Sequence, residues 1–247
     1  MNKKSEINFE TLLKEARENF KLLGVYFEEV VYSRPIVLEA NEAAKRINGT
    51  IEANVLEAIR YSMRKNAIVS LRKIFEKSDK DKKSNIDHLI KFLKKYKKEV
   101  SLEHFRLTFK EYANTKEREY TDTKTNRPII IVLSKKEQKR YRLEYAKNEE
   151  KFCLESIDEL YADWIKYFTT ENLKKLIDNR TVLAHSIDIS KIQEFEGLSF
   201  DSIKEYLDQA EIFMNRIDDM LNRNKTSYES FHYEWKNAAD KFWQRLN

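Results

Sequence analysis

Arg180 and His185 are the two residues of this chain whose types could bind an anion and transfer a proton, although an Arg-x4-His spacing often arises by chance. Both fall in the stretch Asp178-Asn-Arg-Thr-Val-Leu-Ala-His-Ser186. A guanidinium keeps its charge near neutral pH, so an arginine on a buried helix face needs an anionic partner or a water-filled cleft. Histidine is the common side chain that gains and loses a proton in this pH range. The pair could therefore hold an anion and move a proton beside it. It could equally be an arginine paired with a core carboxylate and a histidine that caps a helix end.

Apolar residues at helical spacing surround the pair and predict a helix that begins after Thr169 or Thr170. The apolar stripe consists of Leu173, Leu176, Ile177, Leu183, Ala184 and Ile187. Residues five apart on an ideal helix are rotated by roughly 140°, since each residue adds ~100°. Arg180 and His185 therefore cannot both face one pocket from one straight helix. Either the helix ends or distorts near Leu183, or each motif meets its copy across a two-fold axis.

The composition predicts an all-α fold. Only 3 Gly and 2 Pro occur in 247 residues, which favours long helices with few breaks over hairpin-rich structure. The hydrophobic fraction of 41% is enough for a sizeable core. We expect a single helical-bundle domain over residues 1–247 with long antiparallel helices. It would carry an insertion at about 99–150, irregular around 117–135.

Cysteine content, charge and hydropathy limit the class of protein. One cysteine, Cys153, excludes an internal disulfide and a cysteine-cluster metal site, and fits a reducing compartment. The basic start Met-Asn-Lys-Lys-Ser-Glu is followed by no apolar run, and mean hydropathy is −0.74. A net charge of +5 permits binding to nucleic acid without demanding it. We therefore expect a cytoplasmic protein with no membrane contact, no cofactor and no metal.

Apolar periodicity and stop signals predict the order of the elements. A first helix should run from an Asn8 cap to Tyr32 and stop at Arg34-Pro35, because the residue before proline avoids helical geometry. Ser84 should start a later helix, with Asp87 completing a variant of the capping box. The other predicted elements are helices over about 39–48, 51–77, 102–116, 154–168, 199–221 and 231–243, a loop over 119–128, and a strand or extended tie over 129–133.

Basic side chains on these elements have two interpretations each. Arg60, Arg64 and Arg72 on the helix over 51–77 are either a solvated flank or contacts to phosphate. Residues 135–145 interleave tyrosines with lysine and arginine. They predict either a contact to single-stranded RNA or a solvated helix with half-buried tyrosines.

The stretch Leu176-Ile-Asp-Asn-Arg-Thr-Val-Leu-Ala-His-Ser186 resembles the signature of the HEPN superfamily of helical nucleases. It most resembles the AbiU-type branch of abortive-infection proteins, in which an Arg, four mostly small or apolar residues and a His end a helical motif. The resemblance extends to Leu71-Arg-Lys-Ile-Phe75, a polar break and Asn85-Ile-Asp-His-Leu89. Members of this superfamily are helical bundles, usually dimeric, and the active ones are metal-independent endoribonucleases.

The resemblance implies a role for each motif residue. His185 would act as general acid or base on the ribose 2′-hydroxyl or the leaving oxygen, and Arg180 would bind the scissile phosphate. The implied auxiliary or RNA-binding residues are Asn179, Thr181, Ser186 and Arg72. Thr181 departs from the Asn, Asp or His that often follows the Arg in active members. Its hydroxyl can donate a hydrogen bond but does not shuttle a proton, and Asn179 could replace that role in part.

The resemblance also implies a function and partners. The expected protein is an endoribonuclease effector of phage defence by abortive infection, or of a toxin–antitoxin system. Its implied partners are RNA, a second copy of the chain with the two motif helices at the interface, and a cognate antitoxin or nucleotidyltransferase. The alternatives are a catalytically inactive HEPN module that binds RNA, nucleotide or a partner protein, and a purely structural helical protein. No Gly-rich phosphate loop, metal-ligand spacing or nucleophile elbow competes with the motif. The remaining histidines, expected at the surface or an interface, are His88, His104 and His232.

Overall fold

The computed structural model describes residues 8–46, 51–77, 83–121, 128–169 and 200–223, together with Leu176, Asn237 and Lys241. The prediction of an all-α helical bundle is confirmed, with one small hairpin added. The elements are α1 (Phe9–Arg46), α2 (Ile51–Phe75), α3 (Ile86–Lys95), α4 (Lys97–Glu111), a 3₁₀ turn (Tyr112–Asn114), β1 (Glu117–Thr121), β2 (Pro128–Val132), α5 (Lys135–Phe168) and α6 (Phe200–Asn222). Among these helices none combines the length and the apolar character needed to cross a membrane.

The chain divides into two compact units. Unit 1 comprises Met1–Phe92 and Leu160–Asn247, and unit 2 comprises Leu93–Glu159. The boundaries fall inside α3 and inside α5, so both connections between the units are helical. The insertion predicted at about 99–150 lies within unit 2.

Unit 1 is built on an antiparallel pair of long helices, α1 and α2. The hydroxyl of Ser70 donates to the carboxylate of Glu29. Tyr26 lies three residues before Glu29 on α1, and Lys73 lies three residues after Ser70 on α2. The ammonium of Lys73 is 4.5 Å from the ring centre of Tyr26. The two helices therefore run in opposite directions. Their shared face is apolar and buried, and includes Leu23, Phe27, Val30, Ile68, Leu71 and Phe75.

The predicted stop of the first helix at Arg34-Pro35 is wrong, and so is the separate helix over 39–48. α1 continues as one helix to Arg46. Proline removes one hydrogen bond of the helical ladder and crowds the preceding turn, at a cost of about 3 kcal/mol. The long contact with α2 outweighs that local cost. Just before the proline, the Ser33 hydroxyl donates to the carbonyl of Glu29 at 2.5 Å, a bond that often accompanies a bend in a helix.

The cap of α3 also differs from the prediction. The side chain of Asn85, not Ser84, accepts the backbone N–H of His88 at 2.8 Å. Asp87 takes no part in a capping box, because its carboxylate is buried and engaged elsewhere. It accepts the indole N–H of Trp164 at 3.0 Å and the ammonium of Lys91 at 2.7 Å. At the first helix, by contrast, the predicted Asn8 cap is confirmed, since its side chain accepts the N–H of Glu10 at 3.2 Å.

The seven-residue stripe predicted for the helix near 199–221 is confirmed. All six of its apolar residues are buried: Ile203, Leu207, Ala210, Met214, Ile217 and Leu221. The end of this helix, α6, is held to α1, because the guanidinium of Arg17 donates to the carbonyl of Leu221 at 2.9 Å. The aromatic helix predicted over 231–243 lies outside the described residues, apart from Asn237 and Lys241.

Unit 2 pairs α4 with α5 and adds the hairpin. Arg142 of α5 donates to the carbonyl of Phe109 at 3.1 and 2.8 Å, which satisfies an acceptor at the end of α4. The ammonium groups of Lys94 and Lys97 both donate to Asp158, each at 2.7 Å. α5 begins at Lys135, earlier than the predicted start at 154. The predicted run 129–133 is a strand up to Val132, since β2 (Pro128–Val132) pairs antiparallel with β1.

Candidate functional site

The predicted catalytic and auxiliary residues lie outside the described part of the chain. These are Arg180, His185, Asn179, Thr181 and Ser186. Leu176, ten residues before Ser186, is described: it is helical and buried, as its place in the predicted stripe requires.

Arg72, the remaining predicted site residue, is half-buried near the end of α2. Its guanidinium lies 3.6 Å from the carboxylate of Glu76, one turn further along. An i, i+4 pair of this kind is worth a few tenths of a kilocalorie. Arg72 thus has a carboxylate beside it within its own segment, and its charge also suits the carboxyl end of the helix.

Arg60 and Arg64 occupy a different position on α2. They are one turn apart and continue the same stripe that buries Ile68, Leu71 and Phe75 further along the helix. Both are half-buried, and the side chain of Arg60 is 30% exposed. Their partial burial on this stripe argues against a fully solvated flank, and the contact to phosphate stays a prediction.

The hydrogen bonding of Arg60 leaves part of its guanidinium without a partner. One terminal nitrogen donates to the exposed carboxylate of Glu57 at 2.6 Å. The Nε atom is buried and has no hydrogen-bond partner within the residues that the structure describes. A buried donor without an acceptor costs roughly 1–3 kcal/mol. An additional acceptor at this place would recover that energy.

The two arginines also act on each other electrostatically. Burial lowers the pKa of the Arg64 guanidinium, and the neighbouring positive charge of Arg60 lowers that pKa further. Arginine nevertheless stays charged at neutral pH. A negative charge placed beside the two guanidinium groups offsets this repulsion. Two guanidinium forks on neighbouring turns, with Cβ atoms about 5–6 Å apart, suit the oxygens of one phosphate group.

An aromatic cluster fixes the far end of α2 to α5 and α6. The ring of Phe75 stacks against Trp164 at 6.3 Å, and Trp164 meets Phe213 edge-on at 5.2 Å. Tyr167 joins them at 5.6 Å from Phe75. Burial raises the pKa of Tyr167 far above its usual value, and nearby Tyr206 raises it further, so its hydroxyl stays protonated. This cluster holds the end of α5, from which the chain continues towards the Arg180 motif.

The basic stretch at the start of α5 is a solvated helix with half-buried tyrosines. The rings of Tyr141 and Tyr145 lie 4.5 Å apart, and Tyr145 stacks on Tyr112 at 4.9 Å. Arg142 covers the ring of Phe109 at 4.1 Å, besides bonding to its carbonyl. These aromatic faces are occupied within unit 2, and that leaves less of them for stacking on bases.

The prediction that His104 lies at the surface or an interface is wrong. It is buried in unit 2, with its Nδ1 3.2 Å from the carboxylate of Glu149. His88 is half-buried in unit 1. Burial lowers its pKa, and the charge of Lys83 lowers that pKa further. His232 lies outside the described residues. No group of three metal-binding side chains occurs in the described segments.

Sequence reasoning noted Arg60 and Arg64 without giving them weight, although the signal was present. The spacing 60, 64, 68, 71, 75 is one helical stripe, and its first two members are arginines. The same logic applies to Arg180 in its predicted apolar stripe. Comparison with family models, with curated proteins and with solved structures found no match for this chain.

Proposed function

We propose that the protein is a metal-independent endoribonuclease that cleaves RNA with Arg180 and His185. Within the described structure, the observation that supports it is the half-buried pair Arg60 and Arg64 on the core stripe of α2. Such a pair attracts a phosphate, and RNA offers a row of them. The Arg-x4-His motif supplies the chemistry that a binding surface alone lacks. We further propose a cytoplasmic effector of abortive infection or of a toxin–antitoxin system, held in check by a cognate antitoxin or nucleotidyltransferase.

In the proposed reaction His185 accepts the proton of a ribose 2′-hydroxyl. The 2′-oxygen attacks the adjacent phosphorus, and the bond from phosphorus to the 5′-oxygen breaks. Arg180 stabilises the negative charge that builds on the phosphoryl oxygens. The 5′-oxygen leaves and takes a proton from water, and His185 returns its proton to the solvent. The products are therefore a 2′,3′-cyclic phosphate and a 5′-hydroxyl. Arg60 and Arg64 bind a further phosphate of the same strand and act in affinity, not in bond breaking.

The test incubates the purified full chain with total RNA and maps the ends of any cuts. We expect cyclic phosphate and 5′-hydroxyl ends, no loss of cleavage in excess EDTA, and no cleavage by His185→Ala. We also expect the cleavage rate to depend on one protonation near neutral pH, as a reaction that uses His185 requires. Activity that disappears with EDTA and returns with Mg²⁺ contradicts the proposal.

The second candidate is a module that binds RNA without cutting it. Thr181, which cannot shuttle a proton, favours this alternative. The two candidates share the phosphate contact at Arg60 and Arg64 and differ in chemistry. Intact RNA after prolonged incubation, with binding that weakens as salt rises, identifies the non-cleaving module.

A further inference from the structure

The hairpin of unit 2 leaves three large apolar side chains in solvent. Ile130, Ile131 and Val132 are 64%, 46% and 73% exposed. β2 as a whole, Pro128–Val132, carries no charged residue. A hairpin of two strands is marginally stable in water, and an exposed apolar edge strand is a template for pairing with another strand. β2 thus has the properties of a strand that pairs on both edges.

The pairing within the hairpin determines which backbone groups of β2 face outward. The register places Ile130 opposite Glu119, and the N–H of Leu133 donates to the carbonyl of Lys116 at 2.8 Å. Hydrogen-bonded pairs alternate along an antiparallel ladder. The N–H and C=O groups of Ile130 and Val132 therefore point away from β1. In the described residues β1 is the only strand that pairs with β2.

The outer edges of the two strands differ in charge. By the same alternation the outward residues of β1 include Glu117 and Glu119, and both are exposed. Two copies of that edge would set carboxylates against each other, which is destabilising. Charged residues are a usual means of protecting an edge strand. The β1 edge is protected in this way, and the β2 edge is not.

We propose that β2 pairs antiparallel with β2 of a second copy of this chain, about a two-fold axis at Ile130. The two Ile130 residues exchange both of their backbone hydrogen bonds. The N–H of each Val132 donates to the Pro128 carbonyl of the other copy. The N–H that proline lacks falls at the end of the ladder, where its loss costs least.

The resulting four-stranded sheet has an apolar face and cannot add further chains at its outer edges. Ile130 and Val132 of both copies form an apolar centre on one face, with the β1 glutamates beside them as a polar rim. The outer edges of the new sheet are the two protected β1 edges, so pairing stops at two chains. This contact involves neither Arg180 nor His185, and it stands or falls independently of the proposed ribonuclease activity.

Proline substitutions test the pairing without breaking the hairpin. Ile130→Pro removes an N–H that faces away from β1, so the β1–β2 ladder keeps its bonds. Glu119→Pro is the matched control, because it removes an outward N–H from the opposite edge of the same hairpin. The readout is the mass in solution from sedimentation at tens of micromolar. We expect Ile130→Pro to halve the mass of the assembly and Glu119→Pro to leave it unchanged.

Cysteine cross-linking tests the register. In the proposed pair the two Cα atoms of residue 130 lie about 5.5 Å apart, within the span of a disulfide. The two Cα atoms of residue 132 lie four residues apart along the strands, roughly 14 Å. On mild oxidation Ile130→Cys should therefore give a disulfide-linked dimer and Val132→Cys should not. The native Cys153 is buried and adds little background.

Three results would overturn the proposal. One is a wild-type chain that sediments as a 29.7 kDa monomer at these concentrations, which would leave the strand to a partner protein. Another is an equal mass for Ile130→Pro and the wild type. The third is equal cross-linking through positions 130 and 132, which would show that two copies collide without pairing in the proposed register.

Discussion

Arg60 and Arg64 show how a residue type out of place on a helix marks a candidate site. A leucine at either position would extend the core stripe, whereas two guanidinium groups there leave a buried donor and mutual repulsion. Such energetic cost in a folded protein is typical of binding sites, where a ligand offsets it. We therefore expect these arginines to contribute to affinity and to cost stability in the free protein.

Binding of single-stranded RNA by the His185→Ala chain tests the role of these two arginines. Arg60→Gln and Arg64→Gln should each weaken binding several-fold, and the double variant should reduce the slope of log K against log salt by about 0.7, because the two arginines share one phosphate. The matched control is Arg106→Gln, an exposed arginine 4.0 Å from Glu103 on α4. Fluorescence anisotropy over a salt series measures the slopes. Equal slopes for the variants and the control would contradict the contact.

His88 makes the stability of unit 1 depend on pH in a predictable direction. Its folded pKa lies below its ordinary value near 6.5 because burial and Lys83 disfavour the charged form. Below that ordinary value the unfolded chain binds the proton more readily, so stability falls as pH drops from about 6.5 through the lower folded pKa. The other charged groups that act on it are Glu15, Asp87 and Lys91.

The measurement is the free energy of unfolding by urea at about pH 7.5 and pH 5.5. We expect the wild type to lose more stability between these two pH values than His88→Gln does. Most surface carboxylates stay ionised over this range, so they contribute little to the difference. If His88→Gln loses as much stability as the wild type between these pH values, His88 is not the cause of the pH dependence.

At the scale of elements, α1 shows where local sequence rules are overridden. Arg34-Pro35 is a sound local stop signal, yet α1 continues to Arg46, and the apolar face that α1 shares with α2 offsets the local cost. Conversely, the stripe of α6 was predictable residue by residue, because the apolar residues that recur at helical spacing are the ones that are buried. Period and composition thus predicted the helices, and only tertiary contact decides whether a helix passes a proline.

The candidate site was predictable to a similar, partial degree. The stripe 60, 64, 68, 71, 75 is visible in the sequence, but which basic side chains are half-buried is not. The burial of His104 had no sequence signal, because its partner Glu149 is on another helix, 45 residues away. Long-range pairs of this kind follow from how helices pack, which spacing along one helix does not encode.

Pro35→Ala tests the cost of the proline inside α1. The substitution restores a backbone N–H to the helical ladder and removes the clash with the preceding turn. We expect the free energy of unfolding to rise by about 1–3 kcal/mol. Pro128→Ala is the control, because Pro128 begins a strand and its nitrogen faces the outer edge. Its effect should stay within about 0.5 kcal/mol. A destabilised Pro35→Ala would show that α1 requires the proline.

At the scale of the whole molecule, we expect the proposed ribonuclease site to be shared between two chains. Arg180 and His185 diverge by roughly 140° on an ideal helix, so a two-fold axis is the simplest way to bring an Arg of one chain to a His of the other. A mixture of Arg180→Ala and His185→Ala chains should therefore recover part of the activity that each lacks alone. Cleavage assays on refolded mixtures measure it. A fully active monomer, or no recovery in a mixture shown to contain heterodimers, would contradict a shared site.

The rate at which a thiol reagent labels Cys153 measures how often unit 2 opens. Because the chain has one cysteine and the side chain is buried on α5, a thiol reagent in solution reacts only when this unit opens. The labelling rate then reports the opening of unit 2 without any engineered probe and without a signal from unit 1. Followed with and without RNA, that rate would reveal whether a ligand held by arginines of unit 1 slows the opening of unit 2.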